Sequence, residues 1–301
     1  MKYILGSGLI GFLAKHIYPE YHIIPIGKSR YYRYETALCD NYVFCNDAID
    51  DVIKGISRSF IPVLFKRAIS YCGQIIFNCE SQFIVDWLNK AYASQPHPHA
   101  AFAINKSGFI YNVYGTDIFQ HLEKPSLLTC KDFILSGNKL VGIDVQNKTI
   151  CTLHGNMPYE HIISTVPLDY LLDLCKIKHQ LQSLDLHTFI IETSELDFEG
   201  ASELLVADDN IDFFKCTRIS DNCYQFYANK DIENISMYVS KFIKRFNIIS
   251  ATCVRKAIPI GDPPQHLIPN EIYCVGSNAQ WDDGMDISSC ILRLLKLYNR
   301  I

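Results

Sequence analysis

"MKYILGSGLIGFLAKHI", residues 1–17, sets Gly6, Gly8 and Gly11 in a GxGxxG spacing directly behind a short apolar run. The spacing alone is a weak signal, because glycine triplets arise by chance. Its surroundings decide the reading. Residues 2–5 predict a short buried strand, and Ile10, Leu13, Ala14 and Ile17 then recur on one face of a helix that begins near Leu9. Residues 18–30, "YPEYHIIPIGKSR", supply a loop at Pro19 and a second strand over 21–26. Strand, glycine turn, helix and strand in this order form a unit suited to holding a pyrophosphate on the helix N-terminus.

The same α/β grammar returns at the far end. In residues 270–301 an apolar strand over 272–275 ends at Gly276. Asp283 or Asp286 then caps a helix that carries Ile287, Ile291, Leu294, Leu295 and Tyr298 on one face. Between the two ends, residues 139–145 and 150–153 predict strands separated by turns at 146–149 and 154–157. Residues 161–165, "HIIST", form a further apolar strand, stopped by Val166-Pro167. Residues 39–122 are expected to be mostly helical, with helical spacing over 47–69 and 80–93, a loop or strand region over 97–108 and a short helix over 116–124. From 178 to 259, strands are expected at 187–195, 203–208, 213–220 and 223–229, with a helix over 233–246.

Composition narrows the classes. Hydrophobic residues make up 49% of the 301 and charged residues 20%, a globular balance that argues against disorder. The formal charge is −4 and no stretch is Lys/Arg-rich, so no nucleic-acid footprint is visible. No run approaches the ~18 to 20 apolar residues of a membrane span. The first apolar run is broken by glycines and carries no cleavage site, so a soluble cytoplasmic protein is expected. Twelve cysteines include no CxxC spacing, which favours buried free thiols in a reducing compartment over disulfides or a metal centre. His97 and His99 lack a Cys or acidic partner at ligand spacing, and no metal is expected.

Three segments in this order resemble the glutathione-reductase-type FAD proteins, in the branch that contains UDP-galactopyranose mutases and flavin amine oxidases. "ILGSGLIG", residues 4–11, is similar to their FAD pyrophosphate turn. Residues 142–174 are similar to their central meander and the strand after it, which includes Thr165. Residues 271–297 are similar to their final strand, glycine and flavin-facing helix. Within the branch the mutases are most alike: their Gly-Arg and Tyr-Asp-Met-Asp places read Gly276-Ser277 and Asp283-Gly284-Met285-Asp286 here, and "FFKCTRIS" aligns Arg218 with the arginine of their Tyr-Thr-Arg strand. The chain also departs from the pattern. The ribose-binding acid is replaced by Gly27, followed by Lys28, Ser29 and Arg30, the following Gly-Gly by "YYRYET", and two histidines by Tyr42 and Cys45.

The resemblance implies an α/β fold in which a Rossmann-like FAD-binding domain, a parallel sheet plus a β-meander, is interleaved with a mixed α+β substrate domain. Its boundaries would be 1–55, 125–170 and 268–301 for the first and 56–124 and 171–267 for the second. It implies FAD held by Gly6, Ser7, Gly8, Leu9, Ile10, Gly11, Thr165, Gly276, Ser277, Gly284, Met285 and Asp286. Lys28, Ser29 and Arg30 either meet a phosphate, as basic residues do in NADP sites, or are solvated; NADPH is the corresponding candidate reductant. Arg218 would clamp a substrate phosphate or carboxylate, or form a structural ion pair, and Trp281, Asp282 and Asp283 would lie at the ring or its entrance. The expected activity is redox or mutase-like chemistry on a nucleotide-linked small molecule such as a sugar nucleotide. The alternatives are oxidation of an amine or amino-acid-like substrate, and a degenerate nucleotide-binding protein without turnover.

Overall fold

The computed structural model describes residues 1–26, 42–72, 74–77, 81–93, 107–112, 121–122, 137–230, 235–240, 243–261, 265–280 and 286–298. Strand β1 (Lys2–Leu5) pairs in parallel with β2 (His22–Ile24) on one side and with β10 (His161–Ser164) on the other, and β16 (Ile272–Cys274) pairs in parallel with β10. This four-stranded sheet is therefore drawn from both ends and the middle of the chain. Its strands alternate apolar residues between two buried faces. Ile4, Ile23 and Ile163 pack with helices α1 (Leu9–Ile17) and α7 (Ile287–Tyr298). Tyr3, Leu5, Ile162 and Ile272 pack on the opposite face with α4 (Leu168–Leu174) and with Ile143 and Ile150.

Those last two residues belong to a meander of β7 (Leu140–Asp144), β8 (Thr149–Thr152) and β9 (Gly155–Pro158). Sequence pattern places a turn over 154–157, and the structure corrects this: residues 155–158 form the third strand, registered on Thr149–Thr152. The second strand of the opening unit is also shorter than 21–26, ending before Pro25.

Among the described residues the largest sheet has nine strands. Its main path runs β15 (Asn247–Ile260), β11 (Gln182–Glu192), β14 (Cys223–Ala228), β13 (Lys215–Ser220), β12 (Glu203–Val206), β4 (Val63–Tyr71), β6 (Ser107–Asn112) and β3 (Tyr42–Phe44). β5 (Gln74–Ile76) pairs off this path with β4. β12 and β4 pair in parallel and the other neighbours are antiparallel. The mostly helical expectation for 39–122 is therefore corrected. Helix α2 (Asp47–Ile56) stops at the Ser57 cap, Pro62 removes an amide donor, and the following residues place Phe65, Arg67 and Ile69 on one buried face of a strand. Helix α3 (Ser81–Ala91) forms where helical spacing predicts it. Of the helix expected over 233–246, the described residues contain α5 (Ile235–Val239), and the 14-residue β15 follows at 247, a strand that sequence pattern did not signal.

One face of this sheet carries a buried charge cluster. Arg67 Nε and Nη2 each lie 2.6 Å from Glu203 Oε1, and Lys215 Nζ lies 2.8 Å from Glu203 Oε2. Thr217 Oγ1 donates to the same Oε2 at 3.2 Å, and the Lys215 ammonium sits 5.1 Å from the centre of the Tyr227 ring. The opposite face is apolar, with Ala68, Leu204, Cys216 and Phe226 packed against Val239 and Ile243. Among the described residues no helix is long and apolar enough to cross a membrane.

Candidate functional site

The three glycines of the opening motif play three different roles. Gly6 adopts φ +106°, a conformation that disfavours side chains, and a Cβ there would lie 2.4 Å from Thr165 Oγ1. Gly11 packs so closely under the turn that a Cβ would lie 2.2 Å from the Gly6 carbonyl oxygen. Gly8 differs from both: a Cβ added there meets no atom of the described residues within 4 Å. Two glycines are thus required by the protein's own packing, while the middle one borders open space. Backbone approach from outside is left free at the second glycine and closed at the other two.

The electrostatics agree. Gly8 is the N-cap of α1 and supplies no side-chain hydrogen bond, and no acidic residue lies in the first turn. The first amides of an α-helix have no intrahelical acceptor, so this end attracts an anion. Lys15 and His16 occupy the last turn, where positive charge complements the dipole, and Lys15 Nζ donates to the carbonyls of Pro19 and Tyr21.

Thr165 is brought to this turn but faces the protein. Its amide and its Oγ1 both donate to the Leu5 carbonyl, each at 2.9 Å, so its hydroxyl braces the Gly6 turn. Ser7 is buried, and Leu9 and Ile10 pack partly against the core shared with α7. These residues therefore offer backbone groups to a ligand. Ser164, next to Thr165 at the end of β10, was not singled out by sequence reasoning. Its Oγ is buried without a hydrogen-bond partner among the described residues, and no sequence pattern signals that.

At the other end of the sheet Gly276 adopts φ +124° after β16, and Ser277 opens the short helix α6 (Ser277–Gln280). With its amide turned so that the oxygen faces the guanidinium, Gln280 accepts from Arg293 of α7 at 2.6 to 3.0 Å. Asp286 is buried immediately before α7, and its Oδ1 accepts from the Ser289 amide at 2.7 Å. The Ser288 hydroxyl accepts from the Phe44 amide at 2.8 Å and ties β3 to this terminus. Asp286, one of the two caps the sequence offers beside Asp283, thus caps this helix. The two helix ends consequently differ: a carboxylate already meets that of α7, whereas no described side chain caps that of α1.

Arg218 lies at the end of β13, where Nη2 is 2.6 Å from Asp221 Oδ1 in an exposed i,i+3 pair. Its guanidinium is engaged by its own hairpin. Lys28, Ser29, Arg30, Trp281, Asp282, Asp283, Gly284 and Met285 lie outside the described residues, as do His97 and His99.

No family model and no curated protein matches the chain. Solved structures do, at low identity. A reduced UDP-galactopyranose mutase aligns over 99% of this chain and 94% of its own, with 13% identity and a TM-score of 0.66. An oxidoreductase from Methanosarcina mazei aligns over 99% and 100%, with 12% identity and a TM-score of 0.62. A CLA-producing fatty acid isomerase from P. acnes aligns over 100% and 98%, with 9% identity and a TM-score of 0.61. The shared property is the fold, over nearly the whole length of each chain.

Proposed function

We propose that the chain is an FAD-dependent enzyme acting on a small molecule, with its pyrophosphate site at the Gly6–Gly11 turn. The observation that carries this reading is the glycine cradle: closed by packing at Gly6 and Gly11, open at Gly8, and headed by a helix end without a described side-chain cap. The order of the three resembling segments and the fold shared with a mutase, an oxidoreductase and an isomerase support the same reading.

In this reading residues 1–55, 125–170 and 268–301 form the cofactor-binding part, and 56–124 and 171–267 cover the substrate. FAD, when bound, supplies the electron transfer or electron-pair chemistry. The protein's own part is positional. The amides that follow Gly6 and Gly8 hold the phosphates, Thr165 keeps the turn in shape from below, and Gly276 with α6 and Asp286 sets the second edge of the site. The preferred substrate class is a sugar nucleotide or other nucleotide-linked compound, transformed by redox or mutase-like chemistry. The Arg218–Asp221 pair favours a second reading, oxidation of an amine or amino-acid-like substrate, because it engages the guanidinium expected to clamp a phosphate.

The test is the Gly8→Ala variant beside the parent protein. The parent is expected to be yellow, or to take up FAD and acquire flavin absorbance, and the variant is expected to fold equally well but lose flavin. A colourless parent that cannot be loaded with FAD overturns the proposal. In the yellow protein, retention of a nucleotide sugar without net oxidation supports the first substrate class. Rapid oxygen consumption with an amine supports the second.

A further inference from the structure

The thiols of this chain are not equivalent. Nine cysteines are described, and among the described residues none is paired in a disulfide. Cys216 and Cys274 are buried, and burial pushes Cys216 well above the ordinary thiol range and Cys274 up to about 12. Cys175 is pushed up to about 11 by the same cause, and burial also raises Cys45 and Cys223. Such thiols stay protonated at neutral pH and react slowly.

Cys253 is in a different situation. It is exposed on β15 and stands directly opposite His187 of β11 in the antiparallel register. Its Sγ lies 3.7 Å from His187 Nε2, within hydrogen-bond reach for sulfur. The ring is held on a strand paired on both sides, with β15 and with β14 where His187 faces Ala228. An imidazole in contact with a solvent-facing thiol is the arrangement that turns the thiol into a nucleophile. Cys72 is also exposed, and it provides an internal comparison.

We propose that Cys253 is a modification site, activated by His187, that forms a mixed disulfide with small oxidised thiols. Nε2 takes the proton from Sγ. The thiolate then attacks one sulfur of the small disulfide, and a new Sγ–S bond forms as the disulfide bond breaks. The departing thiolate takes the proton from the imidazolium and leaves as a free thiol. The Cys253 sulfur passes from the thiol to the disulfide level as the leaving sulfur passes from the disulfide to the thiol level, so the small disulfide is the only oxidant needed. The site owes nothing to the flavin assignment, since both residues lie on the nine-stranded sheet and the step needs only the external disulfide.

The full-length protein is treated with a sub-stoichiometric aromatic disulfide reagent, and each modified cysteine is located by peptide mass mapping over time. Cys253 is expected to be modified first, at least about tenfold faster than Cys72, as thiolate enrichment by a neighbouring imidazole implies. His187→Gln is expected to remove that lead while Cys216 and Cys274 remain unmodified. Equal rates for Cys253 and Cys72 in the parent protein overturn the proposal, as does an unchanged lead in a folded His187→Gln variant. If Cys216 and Cys274 react in that variant, its fold has opened. His187→Asn then replaces it, judged by the same ratio, and failing that the parent's Cys253 to Cys72 ratio decides alone.

Discussion

Arg67 and Glu203 face each other where β4 and β12 run parallel, and their side chains meet at 2.6 Å with almost no solvent access. The carboxylate also holds Lys215, so one anion organises two buried cations on three adjacent strands. Removing one partner of a buried ion pair leaves uncompensated charge, which costs about 3–5 kcal/mol. Glu203→Gln is therefore expected to lower unfolding stability by that amount in a denaturant titration. Arg218→Ala breaks an exposed pair of similar length and is expected to leave the midpoint nearly unchanged.

Glycine substitutions should divide by position. Gly11→Ala drives a methyl group into the Gly6 carbonyl, and Gly6→Ala adds a disfavoured φ to a clash with Thr165. Both are expected to cost about 2 kcal/mol or more, as overpacking and backbone strain do. Gly8→Ala, with extended backbone and open space, should stay within about 0.5 kcal/mol of the parent. Thermal unfolding of the three variants without added cofactor checks this order.

Ser164 supplies a prediction of opposite sign. Its hydroxyl is fully buried and makes no hydrogen bond among the described residues, so it bears a desolvation cost with no return there. Ser164→Ala is expected to raise stability by about 1 kcal/mol. A decrease in the unfolding midpoint would show that the hydroxyl has a partner in solution.

The alkaline limb of the stability profile follows from buried phenols. Burial pushes Tyr21, Tyr111 and Tyr159 up to about 12, and raises Tyr18 further, with nearby carboxylates adding to the effect. Above pH 10 the unfolded chain releases these protons while the folded chain retains them. The stability they contribute is fully present below pH 10 and is lost as the pH rises through about 12. Tyrosinate absorbance is expected to appear in two phases, with the second coincident with loss of circular dichroism. A single phase near pH 10 with the fold intact contradicts this.

The opening unit was legible because its information is local: the glycine spacing, the apolar strand before it and the helical face after it lie within 24 residues. The cap of the last helix was legible, as Asp283 or Asp286, for the same reason, although its use by Ser289 was not. Strand β9 was hidden because Gly-Asn-Met-Pro has turn composition, and only its pairing with Thr149–Thr152 makes it a strand. Likewise β4 ends a segment with helical spacing, and its Arg67 finds its partner 136 residues away. A buried charge cannot be inferred from a sequence that does not show who neutralises it. Arg218 illustrates the converse, since its partner stands three residues on and was close enough to anticipate.

The parallel sheet also constrains how the protein is made. Leu5 and Gly6 are synthesised well before Thr165, which braces their turn and follows 160 positions after Leu5. Strand β16 follows about a hundred residues later still. Until Thr165 is made the glycine loop therefore has no floor, and a chain halted before residue 165 has no means of shaping it. Such long-range closure is slow and exposes apolar strands while it waits. Strand β1 accordingly stays without its partner β10 until residues 161–164 are made, and the sheet is complete only once β16 follows.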